Sequence, residues 1–161
     1  MYNCISGAKS LRWTKTAMNP KRLIRPEDKE NFHILLVEDN WVSQNMTMAL
    51  LRREKYQVTC AKHGEEALAI LDAGHHFDLI LMDCKMPILD GYKTTEAIRQ
   101  REQSKRDHIP IVALTADASK QNLEACMACG MDDFIAKPLN RHILKWMVDE
   151  YVLELCMSNI A

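Results

Sequence analysis

The chain has 161 residues, with 21 Lys and Arg against 22 Asp and Glu, a formal net charge of −1, and 47% hydrophobic residues. This length and composition predict one globular domain that needs no disulfide or metal to hold it together. The balanced charge argues against a globally basic nucleic-acid-binding protein, and no apolar stretch reaches the ~18 residues of a membrane span. The first residues lack the apolar core of a signal peptide, so we expect a cytoplasmic location and no membrane contact by this segment.

Residues 1–31 differ from the rest of the chain in charge. They carry seven basic and three acidic side chains, a net +4, which leaves −5 for the remaining residues. The charges are dispersed and no sustained apolar period runs through them, so we predict a basic N-terminal extension or linker, solvated rather than bound to nucleic acid or membrane. The predicted divisions are this extension at 1–31, a folded domain at 32–155 and a short C-terminal tail at 156–161.

From residue 33 onward, short apolar runs alternate with segments of helical periodicity. Strict alternation of this kind indicates an α/β fold, in which a doubly wound parallel sheet of five strands is covered by five helices on its two faces. The apolar stripe expected on the first helix consists of Val42, Met46, Ala49, Leu50 and Arg53, and that of the last helix of Ile143, Met147 and Tyr151. The predicted strands are 33–37, 56–60, 79–82, 109–114 and 133–136, and the predicted helices are 40–54, 63–73, 91–103, 118–129 and 139–155.

Six cysteines occur in a long, apolar chain without a secretion signal, which favours reduced thiols over a disulfide framework. Cys126 and Cys129 have the CxxC spacing of redox and zinc motifs. They stand just before Gly130, where a helix is expected to end and its dipole disfavours a thiolate. No second pair is spaced to complete a zinc site, so we predict half-buried helix cysteines.

Four of the five predicted strands end in polar, reactive side chains. Ligands of open α/β sheets bind outside the carboxyl ends of the strands, so we expect these side chains to share one rim. Three carboxylates at one rim repel each other and require protons or a cation, and oxygen ligands with room for water suit Mg²⁺. Separate, solvent-exposed loop carboxylates are the alternative. The residues at these strand ends are Glu38, Asp39, Asp83, Thr115 and Lys137.

The same residue types are those that phosphoryl transfer requires. A metal and a lysine ammonium neutralise phosphoryl oxygens, and a hydroxyl donates a further hydrogen bond. Asp83 is the only central carboxylate, which makes it the candidate nucleophile for a covalent acyl-phosphate. Because an acyl-phosphate on a protein is labile, it suits a transient signal.

Four motifs, in this order and spacing, resemble the receiver domain of two-component response regulators. The resemblance covers about residues 33–154. The sequence segments VEDN, MDCKMPILDGY and GMDDFIAKP are most like those of the receivers of hybrid sensor histidine kinases. It implies a flavodoxin-like sheet with strand order 2-1-3-4-5. The residues that carry it are Val37–Asn40, Met82–Pro87 with Asp90 and Gly91, Ala113–Ala116, and Asp132–Pro138.

The resemblance also implies roles for individual residues. Asp83 is the residue phosphorylated from a phosphohistidine, Thr115 and Lys137 bind the phosphoryl oxygens, and the Lys137–Pro138 peptide bond is cis. Mg²⁺ is the only cofactor implied. Its ligands would be Asp39 directly, Glu38 mainly through water, a side-chain oxygen of Asp83 and the backbone carbonyl of Lys85.

Three further positions carry hypotheses with alternatives beside them. Phe134 occupies the place of the family's aromatic switch residue, paired with Thr115, although it could simply pack an edge strand. Lys85 and Asp117 stand where this family tunes phosphate lifetime, and their opposite charges could pair at the mouth of the site. Trp41, at the start of the first helix, is either a docking anchor for phosphodonor helices or a partly covered surface residue.

These observations predict a receiver domain that takes a phosphoryl group onto Asp83, switches conformation and slowly hydrolyses the phosphate. The expected partner is a histidine kinase or a histidine phosphotransfer protein; a homodimer is compatible with the family, and direct nucleic-acid binding is not expected. The isolated domain is not expected to be an enzyme beyond its own phosphorylation and dephosphorylation, whereas a full-length hybrid kinase, with this segment as its cytoplasmic part, would be one. The alternative is a stand-alone single-domain regulator that acts by protein–protein interaction.

Two readings from other classes fit the sequence less well. A phosphatase of the haloacid-dehalogenase type requires a second aspartate two residues after its nucleophile, and this chain has Lys85 at that position. A flavodoxin-like electron carrier requires a phosphate-binding loop rich in Ser, Thr and Gly after the first strand. The segment Glu38–Gln44 at that position does not have this composition.

Overall fold

The computed structural model describes residues 24–102 and 108–158. Within them, five parallel strands form one sheet in the order β2-β1-β3-β4-β5, which confirms the predicted flavodoxin-like topology. In chain order the elements are α1 (Pro26–Glu30), β1 (His33–Val37), α2 (Trp41–Arg53), β2 (Gln57–Ala61), α3 (Gly64–Asp72), β3 (Leu79–Asp83), α4 (Gly91–Arg101), β4 (Ile111–Thr115), α5 (Lys120–Ala128), β5 (Asp133–Ala136) and α6 (Arg141–Ser158).

The central strands are buried on both faces, which explains their continuous apolar sequences. Successive side chains of a strand point to opposite faces, so Leu36 packs with Leu51 of α2 and Val148 of α6, while Leu35 packs with Ile98 of α4 on the other side. Each fully buried aliphatic side chain contributes about 1.5–3 kcal/mol to folding. The sheet is therefore a rigid, two-faced platform whose strand ends are fixed relative to one another.

The inward face of α2 differs from the predicted stripe. Thr47 and Leu51 are buried, whereas Val42 and Met46 are 56% and 64% exposed. The cause is a polar residue on the inner face, because the Gln44 side chain donates hydrogen bonds to the carbonyl oxygens of Glu38 (2.9 Å) and Ala61 (3.1 Å). Apolar periodicity alone could not predict that a glutamine would turn inward to hydrogen-bond the backbone carbonyl oxygens at the ends of β1 and β2.

The last helix is longer and turned slightly from the prediction. Ile143 is 49% exposed and Leu144 is buried in its place, while Met147 and Tyr151 are buried as predicted. The helix runs to Ser158, so the predicted tail at 156–161 begins inside it. Residues 159–161 lie outside the described part of the chain.

The described residues form six helices rather than five, because part of the predicted extension folds. Asp28 of α1 accepts hydrogen bonds from the Arg25 backbone N–H (3.1 Å) and guanidinium (2.8 Å), which cap this helix. Lys29 then reaches Asp149 of α6 at 2.9 Å. Phe32 is buried, so residues 24–32 pack against the domain. The helix in this segment has only five residues, which is too short to show an apolar periodicity in the sequence. Residues 1–23 of the extension lie outside the described residues.

None of the helices that the structure describes is both long enough and apolar enough to span a bilayer.

Candidate functional site

The parallel sheet brings the polar strand ends to one rim, as predicted. Asp83 is the last residue of β3 and lies beside Leu114 in the register, while Thr115 is the last residue of β4 and lies beside Ala136 of β5. Glu38 follows β1 and donates its backbone N–H to the carbonyl of Ala61, which keeps it in line with the sheet. Side chains that are far apart in the sequence therefore meet because parallel strands end together.

Three carboxylates converge at this rim. One oxygen from each of Glu38, Asp39 and Asp83 lies within 4.8 Å of the others, and the described residues contain no second group of three or more metal-ligating side chains of this kind. Glu38 is 1% exposed and Asp83 6% exposed, whereas Asp39 faces solvent. Burial raises the pKa of Glu38, and the neighbouring Asp83 charge adds to this, although the hydrogen bond from Lys137 opposes it.

Lys137 is the positive charge of the site. Its Nζ lies 2.6 Å from Glu38 Oε2 and 3.0 Å from Asp83 Oδ2. Burial by itself would lower the pKa of Lys137, but hydrogen bonds to the two carboxylates outweigh it and hold that pKa above its ordinary value. The Lys137 backbone N–H donates to the carbonyl of Thr115 at 2.7 Å, and the Lys137–Pro138 peptide bond is cis, as the family resemblance implies.

The carboxylates and the ammonium face a cleft of about 340 Å³. Lys85 at its wall donates its backbone N–H to Asp83 Oδ1 at 3.3 Å. Beneath the cleft, Gly91 packs so closely that an added Cβ would lie 2.2 Å from the carbonyl oxygen of Asp83, so only glycine fits there. The cleft is lined by Glu38, Asp39, Asn40, Ser43, Asp83, Cys84, Lys85, Ala116 and Lys137.

The Thr115 side chain belongs to a local hydrogen-bond network. Its hydroxyl donates to the carbonyl oxygen of Asp117 (2.9 Å) and accepts from the Asp117 N–H (3.1 Å) and from Asn122 Nδ2 (2.9 Å). The Asn122 side-chain oxygen in turn accepts from the Tyr92 hydroxyl at 2.6 Å. Sequence reasoning missed Asn122 and Tyr92, because they lie on two different helices and no motif spacing links them to the strand ends.

The predicted pairing of Lys85 with Asp117 does not form. Asp117 Oδ1 instead accepts the backbone N–H of Ser119 at 2.9 Å, in the turn that leads into α5. Hydrogen bonds from Ser119 lower the pKa of Asp117, and the more distant charge of Lys85 contributes less. Among residues 24–102 and 108–158, no ion pair within 4.0 Å joins these two side chains.

Two aromatic residues singled out in the sequence lie at the surface. Trp41 is 74% exposed, so its ring is not partly covered, and its role as a docking anchor stays a prediction. Phe134 lies on β5 beside Ala113 and is 36% exposed. Its role in switching stays a prediction, because an exposed position on an edge strand fits both interpretations.

The CxxC cysteines lie at the end of α5, as predicted. Cys129 is half-buried as predicted, whereas Cys126 is fully buried, with its sulfur 3.8 Å from that of Cys84. Burial raises the pKa of Cys129, whereas a hydrogen bond with Cys84 lowers the pKa of Cys126 to about 7, against the expectation that the helix end disfavours a thiolate there. Neither residue belongs to a metal-ligating group among the described residues.

A doubly wound sheet with an acidic cluster, a threonine and a lysine at adjacent strand ends defines the class of phosphoacceptor domains. The family model for the response regulator receiver domain matches residues 34–149. The chain therefore belongs to the response regulator receiver family and is a receiver domain of two-component phosphorelay signalling. This assignment favours the receiver over the phosphatase and the electron carrier considered from the sequence.

Curated relatives are hybrid histidine kinases and related kinases. The chain is 42% identical over 115 residues to hybrid signal transduction histidine kinase B of Dictyostelium discoideum, covering 66% of this chain and 6% of that protein. It is 36% identical over 129 residues to histidine kinase 2 of Arabidopsis thaliana, covering 69% of this chain and 11% of that protein. Across the relatives compared, the matched part spans only 5% to 14% of their length.

Two solved structures with the same fold are informative about the site. The receiver domain of a sensor histidine kinase from Pseudomonas aeruginosa, described with a magnesium ion in its active site cleft, is 41% identical with a TM-score of 0.65, covering 75% of this chain and 97% of that one. The receiver domain of Ssk1 from Saccharomyces cerevisiae, crystallised with the histidine phosphotransfer protein Ypd1, is 31% identical with a TM-score of 0.71, covering 79% and 90%.

Proposed function

We propose that Asp83 is the phosphoacceptor of this receiver. The supporting observation is its carboxylate, which faces the cleft with Oδ2 3.0 Å from the Lys137 ammonium and with the oxygens of Glu38 and Asp39 beside it. A carboxylate oxygen of Asp83 attacks the phosphorus of a phosphohistidine, and the phosphorus–nitrogen bond breaks. The leaving imidazole keeps the electron pair and takes up a proton, and water later hydrolyses the acyl-phosphate.

The residues of the cleft fit a bound Mg²⁺. Of the two lysines that line the cleft, Lys137 pairs with the carboxylates of Glu38 and Asp83, and a divalent cation would compensate the remaining negative charge before a phosphoryl group approaches. Glu38, Asp39, Asp83 and the backbone carbonyl of Lys85 would hold it, as all four residues line the same cleft. When bound, the ion supplies charge neutralisation for the phosphoryl oxygens. The magnesium described for the Pseudomonas relative supports this proposal.

Lys137 and Thr115 would act on the phosphoryl group directly. Lys137 lies within hydrogen-bonding distance of Asp83, so its ammonium can exchange a carboxylate partner for a phosphoryl oxygen with little movement. Thr115 is the last residue of β4, the strand next to β3, and its hydroxyl carries a proton that it can donate. Lys137 is already placed as the kind of donor that stabilises charge on a transferring phosphoryl group, whereas Thr115 must first turn away from Asp117. Phe134 remains the proposed partner of Thr115 in the conformational switch.

An apolar patch on α2 is the proposed docking surface for the phosphodonor. Trp41, Val42 and Met46 are all more than half exposed and follow Asn40, which lines the cleft; we call these three residues the α2 patch. Exposed apolar patches mark interaction sites, and tryptophan is favoured at their centres. The complex of the Ssk1 receiver with a histidine phosphotransfer protein supports the same class of partner here.

The α2 patch is tested by transfer from a phosphorylated histidine phosphotransfer domain. Trp41→Ala is expected to slow transfer by about tenfold or more, because an exposed tryptophan anchor contributes strongly to such interfaces. Met157→Ala removes another exposed apolar side chain, at the end of α6, and serves as the control. Equal transfer rates for the two variants would contradict this docking surface.

The wider setting follows from the relatives. We propose that the chain acts as the receiver module of a hybrid histidine kinase, with a stand-alone regulator as the alternative. It turns over no separate substrate in this proposal and reacts only at its own Asp83. The five free cysteines among the described residues fit a reducing compartment, which supports a cytoplasmic location.

Binding of beryllofluoride, a stable phosphoryl mimic, tests the proposed phosphoacceptor. With Mg²⁺ present, the wild-type protein is expected to bind it, as monitored by tryptophan fluorescence and fluorine NMR. Asp83→Asn is expected to abolish binding, because the acceptor carboxylate is lost. Asp72→Asn changes an exposed carboxylate on α3 and should bind normally. Normal binding by Asp83→Asn would refute the assignment.

A further inference from the structure

The Thr115 hydroxyl has all of its hydrogen-bonding capacity occupied. A hydroxyl offers one proton and two lone pairs. The proton goes to the carbonyl oxygen of Asp117 (2.9 Å), and the lone pairs accept from the Asp117 N–H (3.1 Å) and Asn122 Nδ2 (2.9 Å). Because its single proton is already donated, Thr115 cannot donate to a phosphoryl oxygen on Asp83 until it gives up its bond to the Asp117 carbonyl oxygen.

Asn122 is held in a single orientation by its own partners. Its amide nitrogen donates both to Thr115 and to the carbonyl oxygen of Asp117, the latter at 2.6 Å. Its amide oxygen accepts from the Tyr92 hydroxyl at 2.6 Å. Tyr92 belongs to α4 and Asn122 to α5, so the amide links two helices to the threonine at the end of β4.

We propose that Asn122 is a positioning residue that holds Thr115 in its resting arrangement, and that Tyr92 fixes the Asn122 amide for this task. The inference rests on the proposed function, in which Thr115 turns toward the phosphoryl group. When Thr115 turns, its hydroxyl oxygen moves away from Asn122, so breaking the Asn122–Thr115 hydrogen bond is part of the cost of activation. Asn122 thereby sets how readily the receiver adopts its phosphorylated state, although it does not touch Asp83 in the described contacts.

The substitution Asn122→Ala should leave α5 intact. The helix is capped by Ser119, whose hydroxyl accepts the backbone N–H of residue 122 and does not depend on its side chain. Alanine is the best helix former, and Asn122 is only half-buried, so no cavity of consequence arises. The variant thus removes the contact to Thr115 without a large loss of folding stability.

The expected effect has a definite sign. Removing the hydrogen bond destabilises the resting arrangement but not the activated one, so the phosphoryl mimic should bind more tightly. A net hydrogen bond of ordinary strength corresponds to a change of about twofold to tenfold in the binding constant. Tyr92→Phe should act in the same direction but less strongly, since the amide keeps its donors and loses only its orientation.

The test measures beryllofluoride affinity in the presence of Mg²⁺ for wild type, Asn122→Ala, Tyr92→Phe and the control Gln121→Ala. Gln121 is the exposed neighbour on the same helix. The same Asn122→Ala change is made in a Thr115→Val background, where it should have no effect if Asn122 acts through the hydroxyl. A merely structural role would alter affinity equally in both backgrounds.

Two results would overturn the inference: Asn122→Ala binding with the same affinity as Gln121→Ala, or an Asn122→Ala effect that persists in the Thr115→Val background. Failure of the wild-type protein itself to bind the mimic is a different outcome. It would refute the proposed function, and the inference with it.

Discussion

Replacing Lys137 with methionine tests how the site balances its charges. The ammonium lies 2.6 Å from Glu38 and 3.0 Å from Asp83, and Met keeps most of the side-chain volume while removing the charge. Breaking a buried ion pair leaves its partners uncompensated and costs about 3–5 kcal/mol. Because the Lys137 side chain is 22% exposed, water replaces part of the loss, and we expect a decrease in the free energy of unfolding of about 2–3 kcal/mol at neutral pH.

This cost should depend on pH with a defined sign. Burial already raises the pKa of Glu38 above its ordinary value of 4.5, and the hydrogen bond from Lys137 limits that rise. In Lys137→Met the pKa of Glu38 rises further. A carboxyl with a raised folded-state pKa stabilises the protein below its unfolded-state pKa and loses this contribution as the pH rises through the folded value. The substitution should therefore cost only about half as much near pH 4.5 as near pH 7.5.

Urea denaturation followed by circular dichroism, with a chelator present, measures the effect at both pH values. The control is Lys120→Met, which removes an exposed lysine whose contact with Glu124 is 3.7 Å long. Exposed pairs of this kind contribute at most about 0.5 kcal/mol, so the control should behave like wild type. Equal midpoints for the two variants near pH 7.5, or a cost for Lys137→Met that is the same at both pH values, would refute the electrostatic reasoning.

Two further predictions concern packing around the site. Leu51→Ala, on the buried face of α2, should reduce the free energy of unfolding by about 2–5 kcal/mol, as measured by urea denaturation. Met46→Ala, on the exposed face, should change it by less than about 0.5 kcal/mol. A larger loss for Met46→Ala than for Leu51→Ala would contradict the observed orientation of α2 and favour the apolar stripe expected from periodicity. Gly91→Ala should reduce the free energy of unfolding by about 1–3 kcal/mol, because its Cβ would lie 2.2 Å from the Asp83 carbonyl oxygen. Displacement of the backbone there should also weaken beryllofluoride binding. A variant with wild-type stability and normal binding would contradict this close approach.

The parallel sheet and the shared rim were predictable from the sequence for a physical reason, whereas the strand order came from the resemblance to receiver domains. Strands buried on both faces have continuous apolar sequences, and their carboxyl ends carry the polar residues that meet at the rim. The pattern of the sequence was therefore enough to assign Asp83, Thr115 and Lys137 to one rim. That the Lys137 ammonium pairs with both Glu38 and Asp83, while the Thr115 hydroxyl bonds to Asp117 and Asn122, depends on side-chain geometry that strand position does not encode.

Two of the errors have a common cause, which is polar groups that pair across elements. Gln44 turns inward on α2 because it satisfies strand-end carbonyls, and this turns Met46 outward. Lys29 attaches a short helix that has no periodic signal of its own, through its contact with Asp149. Hydropathy patterns describe which residues avoid water, but they do not report these pairings.

The central claim is tested most directly by locating the phosphoryl group after transfer. The protein is incubated with Mg²⁺ and a phosphorylated histidine phosphotransfer domain, the acyl-phosphate is trapped by borohydride reduction, and the modified residue is identified by peptide mass spectrometry. The account predicts Mg²⁺-dependent modification at Asp83 and none in Asp83→Asn. Modification of a different residue in the wild-type protein, or undiminished transfer to Asp83→Asn, would contradict it.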